Sequence, residues 1–163
     1  MKKIMTLMLG AVSLAGCAQM NKTIIKAAAF YTIPTPGTIQ VDDRGNPVQP
    51  QRRKVYNIFM EIKGPSPEWT KAWVDEKSYS VISLTVQEKK VIIGKKKSDD
   101  QKIVMEAGKG NILVQLELSP GQNYKRPPNT VMPGELLLEG KWKGKLFYYK
   151  IANVMELASP EYQ

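Results

Sequence analysis

Side chains able to do acid–base or nucleophilic chemistry are scarce in this chain of 163 residues. It has no histidine, which removes the triads built on an imidazole base and most zinc and copper sites. Its one cysteine is Cys17. Carboxylates and lysines remain. Asp75-Glu76 and Asp99-Asp100 are acidic pairs, but they are sequence neighbours in polar turns. Nothing in their spacing brings two carboxyls across a cleft, as paired acid–base work requires. Asp42-Asp43-Arg44-Gly45-Asn46-Pro47 lacks the alternating ligand spacing of a calcium loop and reads as a tight turn with a glycine free to take positive φ. There is no glycine-rich nucleotide loop and no internal repeat. The chain is therefore expected not to be an enzyme and to hold no metal and no cofactor.

Residues suited to binding are more plentiful. Tyr124, Lys125 and Arg126 precede two prolines inside Ser119–Gly134, a connection with four prolines and no periodicity. So long a connection in a small domain is often a contact surface. Lys95, Lys96 and Lys97 form a charged second surface. With Lys89-Lys90 they flank a short apolar segment, which keeps the two groups within roughly 20 Å of each other. Such a rim suits an acidic protein or anionic head groups, although lysines on sheet edges also guard against aggregation. Trp69 and Trp73 are four residues apart. They either cover one end of the core or form the floor of a small-ligand pocket.

The first seventeen residues decide where these surfaces would work. Lys2 and Lys3 precede an apolar run from Ile4 to Ala15, followed by Leu14-Ala15-Gly16-Cys17. About twelve apolar residues at 1.5 Å each are too few to cross a bilayer of about 30 Å, so the pattern is that of an export signal. A charged start, an apolar centre and Leu-Ala-Gly-Cys in register resemble the signal and lipobox of bacterial lipoproteins. The resemblance covers this segment alone. It implies diacylglyceryl transfer to the Cys17 thiol, cleavage before Cys17, and acylation of the new amino group by fatty acids such as palmitate. It also implies a lipid-anchored protein of the cell envelope. Ala18, rather than aspartate, after the cysteine favours the outer membrane, with the domain facing the periplasm. Two or three acyl chains anchor firmly, whereas one binds only marginally.

Cleavage would leave 147 residues, enough for one domain with a real core. The formal charge of +9 would fall to +7, because the signal carries two lysines and no acid. With Cys17 acylated, no thiol would remain for a disulfide, so stability must come from packing. Nucleic acid is not an expected partner of an exported, anchored chain. The expected partners are the membrane, through the acyl chains, and an envelope protein or anionic envelope component.

The elements that must position these residues are mostly strands. Residues 1–16 form the signal and 17–22 a tether, which leaves 23–163 as a single domain. Thr23–Ile33 suits a strand or, at Ala27-Ala28-Ala29, a helical turn. Arg52–Lys63 alternates with period two, placing Tyr56, Ile58, Met60 and Ile62 on one face. Ser66, Pro67 and Glu68 resemble a helix start, and Pro67–Glu76 is predicted to be a short helix. Strands are expected over 77–86, 90–94, 101–107 and 112–118. A closing hairpin of 135–142 and 145–157 turns at Lys143-Gly144. Leu136, Leu138, Trp142, Phe147, Tyr149 and Ile151 are expected to face inward from it. The expected fold is all-β, an antiparallel β-sandwich of about seven to nine strands with one short helix. The function expected is that of an envelope lipoprotein serving as a non-catalytic binding or assembly module. The alternative is a periplasmic carrier of a lipid, glycan or peptide that uses Trp69 and Trp73.

Overall fold

The computed structural model describes residues 22–34, 40–48, 53–98, 101–121 and 126–159. Alternating apolar residues build its strands: β1 (Ile24–Thr32), β2 (Gln40–Val41), β3 (Pro47–Val48), β4 (Val55–Lys63), β5 (Glu68–Val74) and β6 (Lys77–Val86). They continue as β7 (Lys90–Lys95), β8 (Lys102–Glu106), β9 (Asn111–Pro120), β10 (Leu136–Trp142), β11 (Lys145–Ile151) and β12 (Val154–Glu156). Eight strands form one curled sheet in the order β11-β10-β5-β6-β9-β4-β1-β12. Every pairing in it is antiparallel except that of β1 with β12. The protein is all-β, a curled sheet with smaller ribbons that makes a sandwich-like half-barrel.

Two cores follow from the two faces of this sheet. The concave face buries Ile58, Met60, Ile62, Val114, Leu116, Leu136 and Leu138 with Phe147 and Ile151, a set contributed by every other residue of each strand. On the convex face the β7–β8 ribbon lies over β1, β4 and β9, and Phe30, Phe59, Leu113, Met105 and Leu157 form the second core. The sheet edges β11 and β12 are joined by only Ala152 and Asn153. Val154 N donates to Gly134 O at 2.9 Å and Leu157 N to Tyr31 O at 2.9 Å, so the closing strands are held from both sides.

Within Thr23–Ile33 the strand is Ile24–Thr32, with Lys22 and Thr23 helical before it, whereas the helix expected over 67–76 is β5. Ser66, Pro67 and Glu68 carry the local signals of a helix start, but Glu68–Val74 is hydrogen-bonded to β10 on one side and, from Lys71 onward, to β6 on the other. Two flanking strands outweigh a cap signal worth about 1 kcal/mol. The second arm of the closing hairpin also splits, into β11 and β12.

Candidate functional site

A β-bulge in β5 shapes the most unusual part of the surface. Lys71 faces Glu139 and Trp69 faces Gly140, which leaves Thr70 as the extra residue. Its hydroxyl donates to Glu139 Oε1 at 2.9 Å. The extra residue reverses the inside–outside alternation. Ala72 and Val74 point into the concave core, and so does Trp69, whose ring meets Phe147 edge-on at 5.3 Å. Trp73 is buried on the other face, 6.5 Å from the Tyr148 ring. The two indoles therefore sit on opposite faces and do not form one pocket floor.

Past the bulge, β5 and β6 part. Their ladder runs only from Lys71↔Ser80 to Val74↔Lys77, whereas β6 stays paired with β9 from Tyr79 to Val86. Val81–Val86 consequently pairs on one side only among the described residues. The stretch reads Val-Ile-Ser-Leu-Thr-Val, uncharged and without proline, and Ile82 and Leu84 are 50% and 45% exposed. Exposed edges are usually protected by lysine, proline or a bulge; this one carries none of the three. Its free amide and carbonyl groups, with apolar side chains beside them, suit the addition of another strand.

A second cluster lies at the end of the sheet where β1 finishes and β4 begins. Tyr31, Tyr56 and Tyr79 form a row with ring centroids 6.0 and 5.5 Å apart. The Tyr56 hydroxyl donates to Asp75 Oδ2 at 2.7 Å, and Lys54 Nζ donates to the same oxygen at 2.6 Å. The Lys54 ammonium also lies 4.5 Å from the centre of the Tyr31 ring. Tyr31 donates to Glu156 Oε2 at 3.1 Å, and Lys97 binds Glu156 Oε1 at 2.6 Å. Burial pushes the Tyr56 phenol above its ordinary range, reinforced by the Asp75 hydrogen bond. For Asp75 burial also acts upward, but the bonds from Lys54 and Tyr56 outweigh it and hold the carboxyl low. Hydrogen bonding by Asp75 raises Lys54, and hydrogen bonding by Lys97 lowers Glu156. Every charged group here has its counter-charge, so the row closes the core in the manner of a structural cap.

Glu61 is the one buried charged side chain among the described residues. Its Oε1 accepts from Asn111 Nδ2 at 2.6 Å and from Gly108 N at 2.8 Å, while Lys26 Nζ lies 3.4 Å from Oε2. Those donors, Asn111 foremost, hold its carboxyl below the usual range. It ties the β8–β9 turn to β4.

Of the residues expected to bind a partner, Cys17, Tyr124 and Lys125 lie outside the described residues. Arg126 is exposed. Lys95 is exposed, the Lys96 backbone pairs with Leu157 in a single β-bridge, and the Lys97 ammonium is ion-paired with Glu156. Lys96, Lys97, Ser98, Met155 and Glu156 line an open cleft of about 270 Å³. In the β2–β3 turn the Asp42 carboxylate accepts from the amides of Arg44 and Asn46 at 2.9 and 2.8 Å, a turn-closing role. The exposed edge of β6 was missed from sequence because pairing on one side only is a property of the neighbours. No protein-family model matches the chain, and no curated protein and no solved structure shows significant similarity to it.

Proposed function

We propose that this chain is a lipid-anchored lipoprotein of the bacterial envelope whose domain binds and helps assemble another envelope protein without catalysing a reaction. The lipobox-like Leu14-Ala15-Gly16-Cys17 supports the address, with acyl chains on Cys17 in the outer membrane and the domain facing the periplasm. The one-sided pairing of Val81–Val86 supports the activity. An extended segment of a partner would add to this edge, its amides continuing the sheet and its apolar side chains covering Ile82 and Leu84. The mature charge of +7 opposes close pairing of two like copies and favours a neutral or acidic partner.

The test is affinity purification of the acylated protein from its own envelope in mild detergent, with Cys17→Ala as the anchoring control. A stoichiometric partner that is lost in the Ile82→Lys, Leu84→Lys double variant is the expected result. Retention of the partner by that variant, with loss in Lys125→Glu, Arg126→Glu, would transfer the contact to the proline-rich connection. Absence of any protein partner, with lipid or glycan co-purifying instead, would overturn the assembly role.

A further inference from the structure

We infer that one end of the curled sheet is a seat for the anionic phospholipid surface that carries the anchor. The inference rests on the lipoprotein reading and adds to it an orientation and a lipid class. Strand register defines the end. Ile24 pairs with Ile62, Ile62 with Ile112, Val86 with Leu113, and Lys141 with Glu68. The start of β1, the ends of β4 and β6, the starts of β5 and β9, and the β10–β11 turn therefore gather on one side of the domain.

Charge on that side is net positive. Lys22, Lys63, Lys109, Lys141, Lys143 and Lys145 are all exposed, and none makes an ion pair among the described residues. Glu68 and Glu88 are the exposed acids there without an ion pair, so cations outnumber acids. At the opposite end Lys54 is spent on Asp75, Lys97 on Glu156 and Lys150 on Glu135, whereas Arg53, Lys77 and Lys95 are exposed without an ion pair among the described residues. Each lysine close to an anionic leaflet strengthens association, and the attraction fades within a Debye length.

The β10–β11 turn has the composition of a membrane-interface element. Lys143 at φ 50° and Gly144 at φ 76° make the tight two-residue turn. Trp142 is half-buried beneath it, packed against the concave core with its indole nitrogen enclosed, and the Lys143 ammonium lies 5.9 Å from its ring centre. Leu146 is 54% exposed and sits opposite Lys141. The exposed leucine and flanking lysines suit the head-group region, where apolar stems are buried and ammonium groups stay hydrated, and the partly exposed indole beside them reports their contact with it.

Chain length completes the case. Cys17 lies seven residues before Ile24, and seven extended residues span at most about 25 Å. An acylated Cys17 would hold this end, rather than the tyrosine end, near the bilayer. Tyr31, Asp75 and Lys95–Lys97 would then face away from the membrane.

The test places the acylated protein in vesicles of phosphatidylcholine alone, or with about 30 mol% phosphatidylglycerol, each doped with brominated lipid, and reads tryptophan quenching. The expected result is quenching in the anionic vesicles that is absent in Trp142→Phe. It should fall at least about fivefold in about 0.5 M salt or in Lys141→Glu, Lys143→Glu, Lys145→Glu. Equal quenching in both vesicle types, or quenching untouched by Trp142→Phe, would overturn it. So would loss of partner capture in the triple variant without a change in quenching, which would assign the lysines to an acidic protein. Flotation with the neutral vesicles and the mass of the Cys17 peptide report on the anchor separately, so failure of the lipoprotein reading is distinguishable from failure of the seat.

Discussion

Tyr56 and Asp75 are joined by a 2.7 Å hydrogen bond from phenol to carboxylate, linking the start of β4 to the turn between β5 and β6. That turn is strained. Asp75 at φ 48° and Glu76 at φ 60° both occupy the left-handed region without being glycine. The bonds from Tyr56 and Lys54 fix Asp75 there, whereas Glu76 is exposed and has no such tie. Tyr56→Phe is expected to lower stability by about 1.5–2 kcal/mol, the scale of a hydrogen bond to a charged group. Glu76→Gly is expected to raise it by about 0.5–1 kcal/mol by relieving the φ penalty. Urea denaturation of the two variants measures both.

Acid should unfold the domain through the carboxylates it holds in ionised form. Glu61 and Asp75 titrate below their ordinary values of 4.5 and 3.8, as does Glu156. A depressed carboxyl contributes stability above its unfolded pKa and loses it as the pH falls through its folded pKa. The melting temperature should therefore stay level from about pH 7 to about pH 5 and drop steeply below about pH 4. Glu61→Gln should be less stable at neutral pH, because a charge-assisted acceptor is lost. Its acid drop should be smaller. A drop identical to that of the unsubstituted chain would remove Glu61 from the account.

Gly140 is a packing glycine in the middle of β10. A Cβ at this position would stand 2.8 Å from Phe147 Cζ and 3.1 Å from the Glu68 carbonyl oxygen. The ring cannot retreat freely, since it is stacked edge-on to Trp69. Gly140→Ala is expected to destabilise the domain by about 1–3 kcal/mol and to change tryptophan emission as the Trp69–Phe147 contact opens. Gly144→Ala, in open space at the turn, should be strained by its φ of 76° yet leave that emission unchanged.

Much of the fold was legible because single strands announce themselves. Tyr56, Ile58, Met60 and Ile62 face the concave core as their alternation implied, and the β10–β11 hairpin turns at Lys143-Gly144 with Phe147 and Ile151 inward. Reading failed where tertiary pairing decided. In β5 the core positions Trp69, Ala72 and Val74 have a spacing produced by the bulge. The four-residue spacing of Trp69 and Trp73 imitates a helical face, and a cap-like Ser-Pro-Glu precedes it. Glu61 alternates outward like a solvent residue and is buried only because Gly108 and Asn111 fold over it from fifty residues away. The cluster around Tyr31 and Asp75 draws on five separated segments, and no local pattern foretells such convergence.

Leu84 and Leu116 lie on neighbouring strands and separate assembly from folding. Leu116 faces the concave core and is fully buried, while Leu84 lies on the convex face beside the unpaired edge and is 45% exposed. Leu116→Ala should cost about 2–5 kcal/mol. Leu84→Lys should change stability by less than about 0.5 kcal/mol, as a surface substitution does. The lysine should nevertheless act strongly on association, because it puts a charge beside an edge that has none over six residues. Affinity purification of the acylated protein from its envelope is therefore expected to recover the partner with the unsubstituted chain and to lose it in Leu84→Lys. A loss of stability in Leu84→Lys comparable to that of Leu116→Ala would mean that this face packs within the domain. The edge would then be closed to any partner.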